Sequence, residues 1–214
     1  MEHLLPRWTA SASRAGVTAS AADVEGAGMD LLRRWSEPHR GYHDVRHLAE
    51  VLDRLAELDD AGEAVLVEAE LAAWFHDAVY AGRPGQDERD SADLARSALQ
   101  ALGAPQATAV RVAELVLVTA SHRPDQGDRA AVLLCDADLA VLAAGPERYA
   151  AYVAGVRLEY ASLDDATFAA GRAAVLRNLL DRPALYVSAA ARERWEAAAR
   201  TNVTAELERL TSPC

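Results

Sequence analysis

Apolar residues recur at three- and four-residue spacing along almost the whole chain. That period is the signature of one face of an α-helix, in which each residue advances by about 100°. Alternating β-branched runs between turn clusters are nearly absent, so strands are not expected. The pattern predicts helices over 20–35, 44–59, 62–80, 88–101, 105–120, 129–144, 146–162, 165–181 and 188–210, with a further short helix near 3–14. The breaks carry turn chemistry: SEPHRG, DDAG, AGRPGQDE, LGAP, SHRPDQGD, AAGPE and DRPALY. Pro105 and Pro146 stand where a first helical turn accepts a proline. No repeat, low-complexity linker or shift in composition marks a boundary, so the expectation is a single compact all-α domain over 1–214.

Composition adds exclusions. Of 214 residues, 51% are apolar, enough for a sizeable core. The formal net charge of −11 argues against nonspecific nucleic-acid binding and against an anionic membrane surface. It leaves room for a small phosphorylated substrate, because a metal or local arginines can reverse the field at one site. Cys135 lies in an apolar run and reads as a buried thiol, and Cys214 is terminal, so neither a thiolate zinc site nor a disulfide is indicated. No stretch is long and apolar enough to span a bilayer. The opening MEHLLPRWTASASRAG lacks the basic and apolar regions of a secretory signal, which makes a cytoplasmic location the expectation.

Polar residues in unexpected places point to chemistry. The chain has six histidines, and YHDVRH puts His43 and His47 four apart, on one face if the segment is helical. In AAWFHDAVY, His76 and Asp77 interrupt an apolar run, and in TASHRPD, His122 ends an apolar helix. Asp136 and Asp138 lie in AVLLCDADLAVLAAG, a helix otherwise apolar all round. Such helices are normally buried, and a buried carboxylate costs several kcal/mol unless it is paired or ligates a metal. Each feature also has a plain reading. The histidines can cap helices or sit satisfied in the core, His122 can lie at the surface, and the late aspartates can pair with Arg157 or Arg172. Glu88 suits a helix N-terminus. Arg177, Arg182, Arg192 and Arg194, near Trp195, read as a solvated face. Taken together, a divalent cation held by His47, His76, Asp77 and one late aspartate gives all the buried charge one partner; imidazole with carboxylate suits manganese, iron, zinc or magnesium.

The ordered set His47, His76-Asp77, Asp138 resembles the signature of the HD superfamily of metal-dependent phosphohydrolases, which is named for its His-Asp pair. YHDVRH is similar to the YHNxxH element of cyclic-nucleotide phosphodiesterases, with Asp44 in place of the asparagine, and DADL is similar to their ADL element. A bacterial group of predicted HD phosphohydrolases resembles nearly the whole chain, through SEPHRGYH, WFHDAVY, DERDSADLA, DADLAVL and ARTNVTAEL. The resemblance implies an HD-like helical bundle with His47, His76, Asp77 and Asp138 as metal ligands and His43 as proton donor. It does not carry cyclic-nucleotide specificity, because the long substrate-binding end of those enzymes has no counterpart here.

The expected activity is therefore hydrolysis of a small phosphate ester, such as a nucleotide, by metal-activated water, with His43 and Asp77 as catalytic residues. Arg46, Arg83 or Arg123 are the candidates to hold phosphate oxygens. Asp77 could bridge to a second ion completed by Glu88 or His122. A di-iron HD-type oxygenase and a non-catalytic metal-binding or sensing module are the alternatives. Of the late aspartates, Asp138 shares a face with Leu134, Cys135, Val141 and Leu142, the bulkier stripe, so it is expected to lie deeper and to bind the metal. Asp136 is expected behind it or in an ion pair.

Overall fold

The computed structural model of the chain describes residues 3–58 and 62–212. Among them are ten α-helices, one 3₁₀ segment and no strand, so the all-α expectation holds. The helices are α1 (Leu4–Arg14), α2 (Ala21–Arg34), α3 (Val45–Leu58), α4 (Glu63–Phe75), α5 (Asp87–Ala101), α6 (Gln106–Val118), α7 (Arg129–Asp138), α8 (Pro146–Glu159), α9 (Asp165–Leu180) and α10 (Ala189–Thr211). The 3₁₀ segment, Leu139–Ala143, follows α7 directly. Asp59, Asp60 and Ala61 of the DDAG turn, the end of the predicted 44–59 helix and Cys214 lie outside the described residues.

Helix α4 is the hub. It packs against α1, α3, α5, α6 and α7. Its sequence explains this, since Ala69, Leu71, Ala72, Ala73, Trp74 and Phe75 are all fully buried. A helix end that is apolar on every side, as residues 71–75 are, must be surrounded, and its alanines let neighbours come close. Helix α3 has one buried stripe instead, of Leu48, Val51, Leu52, Leu55 and Leu58. His47 falls on that stripe, one turn before Val51, and is buried with it.

Two predicted helices are shorter than expected, and both breaks serve the site. The 62–80 helix stops at Phe75, with His76 as its C-cap. Carbonyls freed beyond it are taken by Arg40, whose Nη1 donates to Asp77 O (2.8 Å) and whose Nη2 donates to Ala78 O (3.3 Å). The following backbone is drawn toward α5, where buried Asp87 accepts N–H bonds from Ala81 and Arg83, both at 2.8 Å. The 129–144 helix tightens to 3₁₀ after Asp138. Asn202 of α10 satisfies that end, since its Nδ2 donates to Leu142 O and Ala144 O, both at 2.9 Å.

One close approach sets the position of α8. A Cβ on Gly41 would lie 2.3 Å from Gly155 O, and one on Gly155 would lie 2.4 Å from Gly41 O. The chain before α3 therefore packs backbone to backbone on α8, which only glycine at both positions permits.

Candidate metal centre

Three side chains from three helices converge. His47 is on α3, His76 caps α4 and Asp138 is the last residue of α7. His47 Nε2 lies 3.2 Å from His76 Nε2 and 3.0 Å from Asp138 Oδ1, and His76 Nε2 lies 3.5 Å from that same oxygen. One ligand atom from each falls within 4.8 Å of the other two, a group that could hold a metal ion.

The environment of His76 supports that use. Its Nδ1 sits 2.8 Å from Ala73 O. A carbonyl only accepts, so Nδ1 carries a proton, and Nε2 is the ring's remaining coordination position. A ligand histidine fixed in this way by a backbone carbonyl is the usual arrangement at metal sites. Trp35 packs against both imidazoles, with ring centroids 5.3 Å from His76 and 6.1 Å from His47. Tyr42 covers His47 at 4.7 Å. The two imidazoles are thus walled by aromatic rings, and solvent reaches the group from the carboxylate side, where Asp77 and Asp138 keep 19% and 11% side-chain exposure.

Asp77 is a neighbour of the trio rather than a member of it. Its Oδ2 lies 3.3 Å from His76 Nε2 and 3.9 Å from His47 Nε2. Burial opposes a charge on His76, but Asp77 and Asp138 outweigh it and hold the imidazole's pKa well above its ordinary value. His47 goes the other way, lowered by burial despite its bond to Asp138. Burial also opposes charge on the two carboxylates, yet His76 and the neighbouring imidazoles keep both ionised, below the usual range. Protons and carboxylates here balance one another, which is the charge pattern a divalent cation would replace.

His43 lies outside α3, ahead of its first turn, and not on the helix face that the four-residue spacing predicts. Its ring still comes within 5.7 Å of the His47 ring. What holds it there is Glu159, the last residue of α8. Glu159 Oε1 accepts N–H bonds from Gly41 (2.9 Å), Tyr42 (2.8 Å) and His43 (2.8 Å). Its other oxygen, Oε2, lies 2.7 Å from His43 Nδ1 and accepts from the Tyr80 hydroxyl at 3.0 Å. Tyr80 also stacks on the His43 ring, with centroids 4.5 Å apart. Burial opposes a charge on His43, but the nearby Asp77 carboxylate and the bond to Glu159 raise its pKa above the ordinary value. Asp44 is a cap: its Oδ1 accepts from the N–H groups of Arg46 and His47 at 2.9 and 3.1 Å.

Several expectations change. Asp136 is the deeper of the late aspartates, 1% exposed, and it forms no ion pair with Arg157 or Arg172. Its oxygens accept N–H bonds from Val187 (2.7 Å) and Ser188 (2.8 Å), closing the N-terminus of α10. Depth does not follow the bulkier stripe: α10 packs on the 3₁₀ segment, and the backbone entering it at 187–188 covers Asp136, while Asp138 turns to the imidazoles. His122 is half-buried, and its ring turns inward, with Nε2 2.7 Å from Asp138 Oδ2. Glu88 accepts from Gly85 N at 2.5 Å, at the start of α5. Arg46 pairs with Glu50 (3.0 Å), and Arg83 pairs with Asp87 and Asp90 (3.2 and 3.0 Å).

Two residues of the site carry no signal in the reading of the chain as helices. Glu159 is one; Gly155, a break in an apolar pattern four residues before it on the same helix face, was the available hint. Arg40 is the other. Its buried guanidinium also donates to His43 O (2.7 Å), so it ties the His43 segment to the His76-Asp77 segment. No protein-family model matches the chain, and no match is found among curated proteins or among solved structures. Among the described residues, no helix is long and apolar enough to cross a membrane.

Proposed function

We propose that the chain is a metal-dependent phosphohydrolase of the HD type, acting on a small phosphate ester. The observation that carries this reading is the convergence of His47, His76 and Asp138, with His76 Nε2 turned inward by the Ala73 carbonyl. His47, His76 and Asp138 would hold a divalent cation, which would supply Lewis acidity toward a phosphoryl oxygen and would lower the pKa of water toward neutrality. The chain's own residues supply the rest. His43 stands at the accessible edge, a quarter exposed, beside Asp77. The raised pKa favours its protonated form, which would deliver a proton from Nε2 to the leaving oxygen. Glu159 fixes the ring through Nδ1, leaving Nε2 as the donor. Asp77 favours the protonated form of that imidazole and offers a further oxygen beside the trio. Trp35 and Tyr42 keep water from the back of the ligand imidazoles.

The test pairs metal analysis after air-free purification with a phosphatase screen over nucleotides and sugar phosphates, with manganese, magnesium, zinc or iron added. Release of phosphate with a co-purifying divalent ion supports the reading. Two irons with an oxygen-dependent spectrum and no phosphate release would replace it with oxidative chemistry. Bound metal without any turnover would leave a binding or sensing module.

A further inference from the structure

Most arginines in this acidic chain are neutralised. Arg46, Arg83, Arg111, Arg148 and Arg172 each pair with a carboxylate. Arg123 and Arg182 are different. They face one cavity of about 350 Å³, walled by the His122 turn on one side and by the connection between α9 and α10 on the other. Among the described residues, neither forms an ion pair. Arg182 is anchored by backbone: Nη1 donates to His122 O (3.2 Å) and Nη2 to Ser121 O (3.1 Å). Its Nε is buried and has no hydrogen-bond partner. A buried charged donor without an acceptor is expensive and is rarely left so in a folded protein. Burial and the nearby Arg123 charge both disfavour the Arg182 cation, so the two guanidinium groups are close enough to repel. Asp181 also lines the cavity but is exposed and pairs with neither. An anion in the cavity relieves that repulsion, held by the Arg123 guanidinium and by the Nη hydrogens that Arg182 does not spend on the Ser121 and His122 carbonyls.

The cavity belongs to the same neighbourhood as the metal centre but is not the metal centre. His122 joins them. It takes a left-handed φ of 48°, which a non-glycine residue adopts rarely. In that conformation its ring reaches Asp138 Oδ2 while its carbonyl meets Arg182. His122 thus stands between Arg182 and the trio, bonded to Asp138 through its ring and to Arg182 through its carbonyl. We propose that Arg123 and Arg182 bind a second anionic group of the substrate, so that the chain acts on phosphate esters carrying another phosphate or a carboxylate. This rests on the phosphohydrolase reading for the word substrate, but the anion site itself does not.

The experiment separates the two. The full chain, treated with chelator and checked for retained helix by circular dichroism, is titrated calorimetrically with inorganic phosphate at low salt. One saturable site is expected. Arg123→Gln, whose side chain holds no structural bond, weakens it roughly tenfold or more, as loss of a charge-assisted contact does. Arg182→Gln weakens it further, and the exposed control Arg33→Gln leaves it unchanged. With manganese restored, Arg123→Gln raises KM for a bisphosphate ester by a larger factor than KM for p-nitrophenyl phosphate, which has one anionic group. Absence of phosphate binding in the wild type, or equal binding in the Arg123→Gln variant, overturns the anion site. An intact anion site with no hydrolysis of any ester overturns the phosphohydrolase reading instead. Equal rises in KM for both esters show that the arginines hold the reacting group and overturn the two-anion substrate.

Discussion

Asp136 and Asp138 stand two residues apart at the end of α7 and have opposite partners. Both oxygens of Asp136 end on backbone N–H groups, those of Val187 and Ser188. Both oxygens of Asp138 end on imidazoles, Oδ1 near His47 and His76 and Oδ2 near His122. A carboxylate that closes a helix terminus is part of the frame. One that bonds only to imidazoles does nothing for the backbone and is available to a ligand. Glu159 combines the two: one oxygen takes three backbone N–H groups, and the other takes His43 and Tyr80. It is where the frame hands position to the chemistry.

The sharpest way to break this contrast is to make the same substitution at both aspartates. Asp138→Asn is expected to remove co-purifying metal and, with it, all metal-dependent turnover, while the helical fold survives. Asp136→Asn is expected to keep the metal and lose about 1–2 kcal/mol of stability, because an amide can replace only one of the two acceptors. Metal content by mass spectrometry and thermal melting by circular dichroism read the two effects. Metal retained in Asp138→Asn and lost in Asp136→Asn would reverse the assignment.

The next effect lies at the imidazole that Glu159 holds. His43→Ala is expected to slow turnover by roughly 10²–10⁴ with metal retained, the usual loss for a general acid. An ester with a good leaving group, such as p-nitrophenyl phosphate, needs no proton and should recover much of that loss. Metal loss equal to that of His47→Ala would show that His43 is a ligand and that the division of roles is wrong.

Much of the frame, and the order of the trio, is legible in the sequence, and the reasons are local. His47 lies on the same stripe as Val51 and Leu55, so helix periodicity alone turns it inward. His76 and Asp77 stand out because a polar pair ends a fully apolar run. What escapes the sequence depends on partners far along the chain. Asp136 meets residues 51 and 52 positions later, and Glu159 meets residues 116 to 118 positions earlier. No period encodes such meetings. Arg40 is hidden differently: it sits in the polar run SEPHRG, where a charged residue predicts solvent, yet its side chain is fully buried among carbonyls.

Glu159 gives a pH test of its double role. Burial alone would raise its pKa, but the His43 bond and charge, with the backbone N–H groups, lower it from 4.5 to about 2. A carboxylate depressed on folding contributes stability that is fully present above its unfolded value and is lost as pH falls below it. The wild type is therefore expected to lose about 3 kcal/mol between pH 5 and pH 2 from this group, its side chain being only 1% exposed. Glu159→Gln should be less stable at neutral pH and should show a flatter decline in acid, measured by urea melts across that range. Parallel declines in both proteins would mean that Glu159 is not the group being titrated.

The smallest and most discriminating effect comes from two helical glycines. Gly171 in α9 has nothing within 4 Å of where a Cβ would stand, so Gly171→Ala should stabilise the protein by roughly 0.5–1 kcal/mol through helix propensity alone. Gly155 in α8 offers the same gain in propensity, but its Cβ would lie 2.4 Å from Gly41 O. The backbone cannot yield there without moving the segment that Glu159 holds. Gly155→Ala is therefore expected to cost about 1–3 kcal/mol net, the ordinary cost of overpacking. It should also change the site, because pushing residues 41–43 from α8 lengthens the Glu159–His43 contact and lets the His43 pKa fall toward its ordinary value. An NMR titration of the His43 ring reads that shift directly, and Gly171→Ala supplies the baseline. A destabilised Gly155→Ala with an unmoved His43 titration would show that the glycine contact holds the helix but not the imidazole, and would cut the link between frame and chemistry at Glu159.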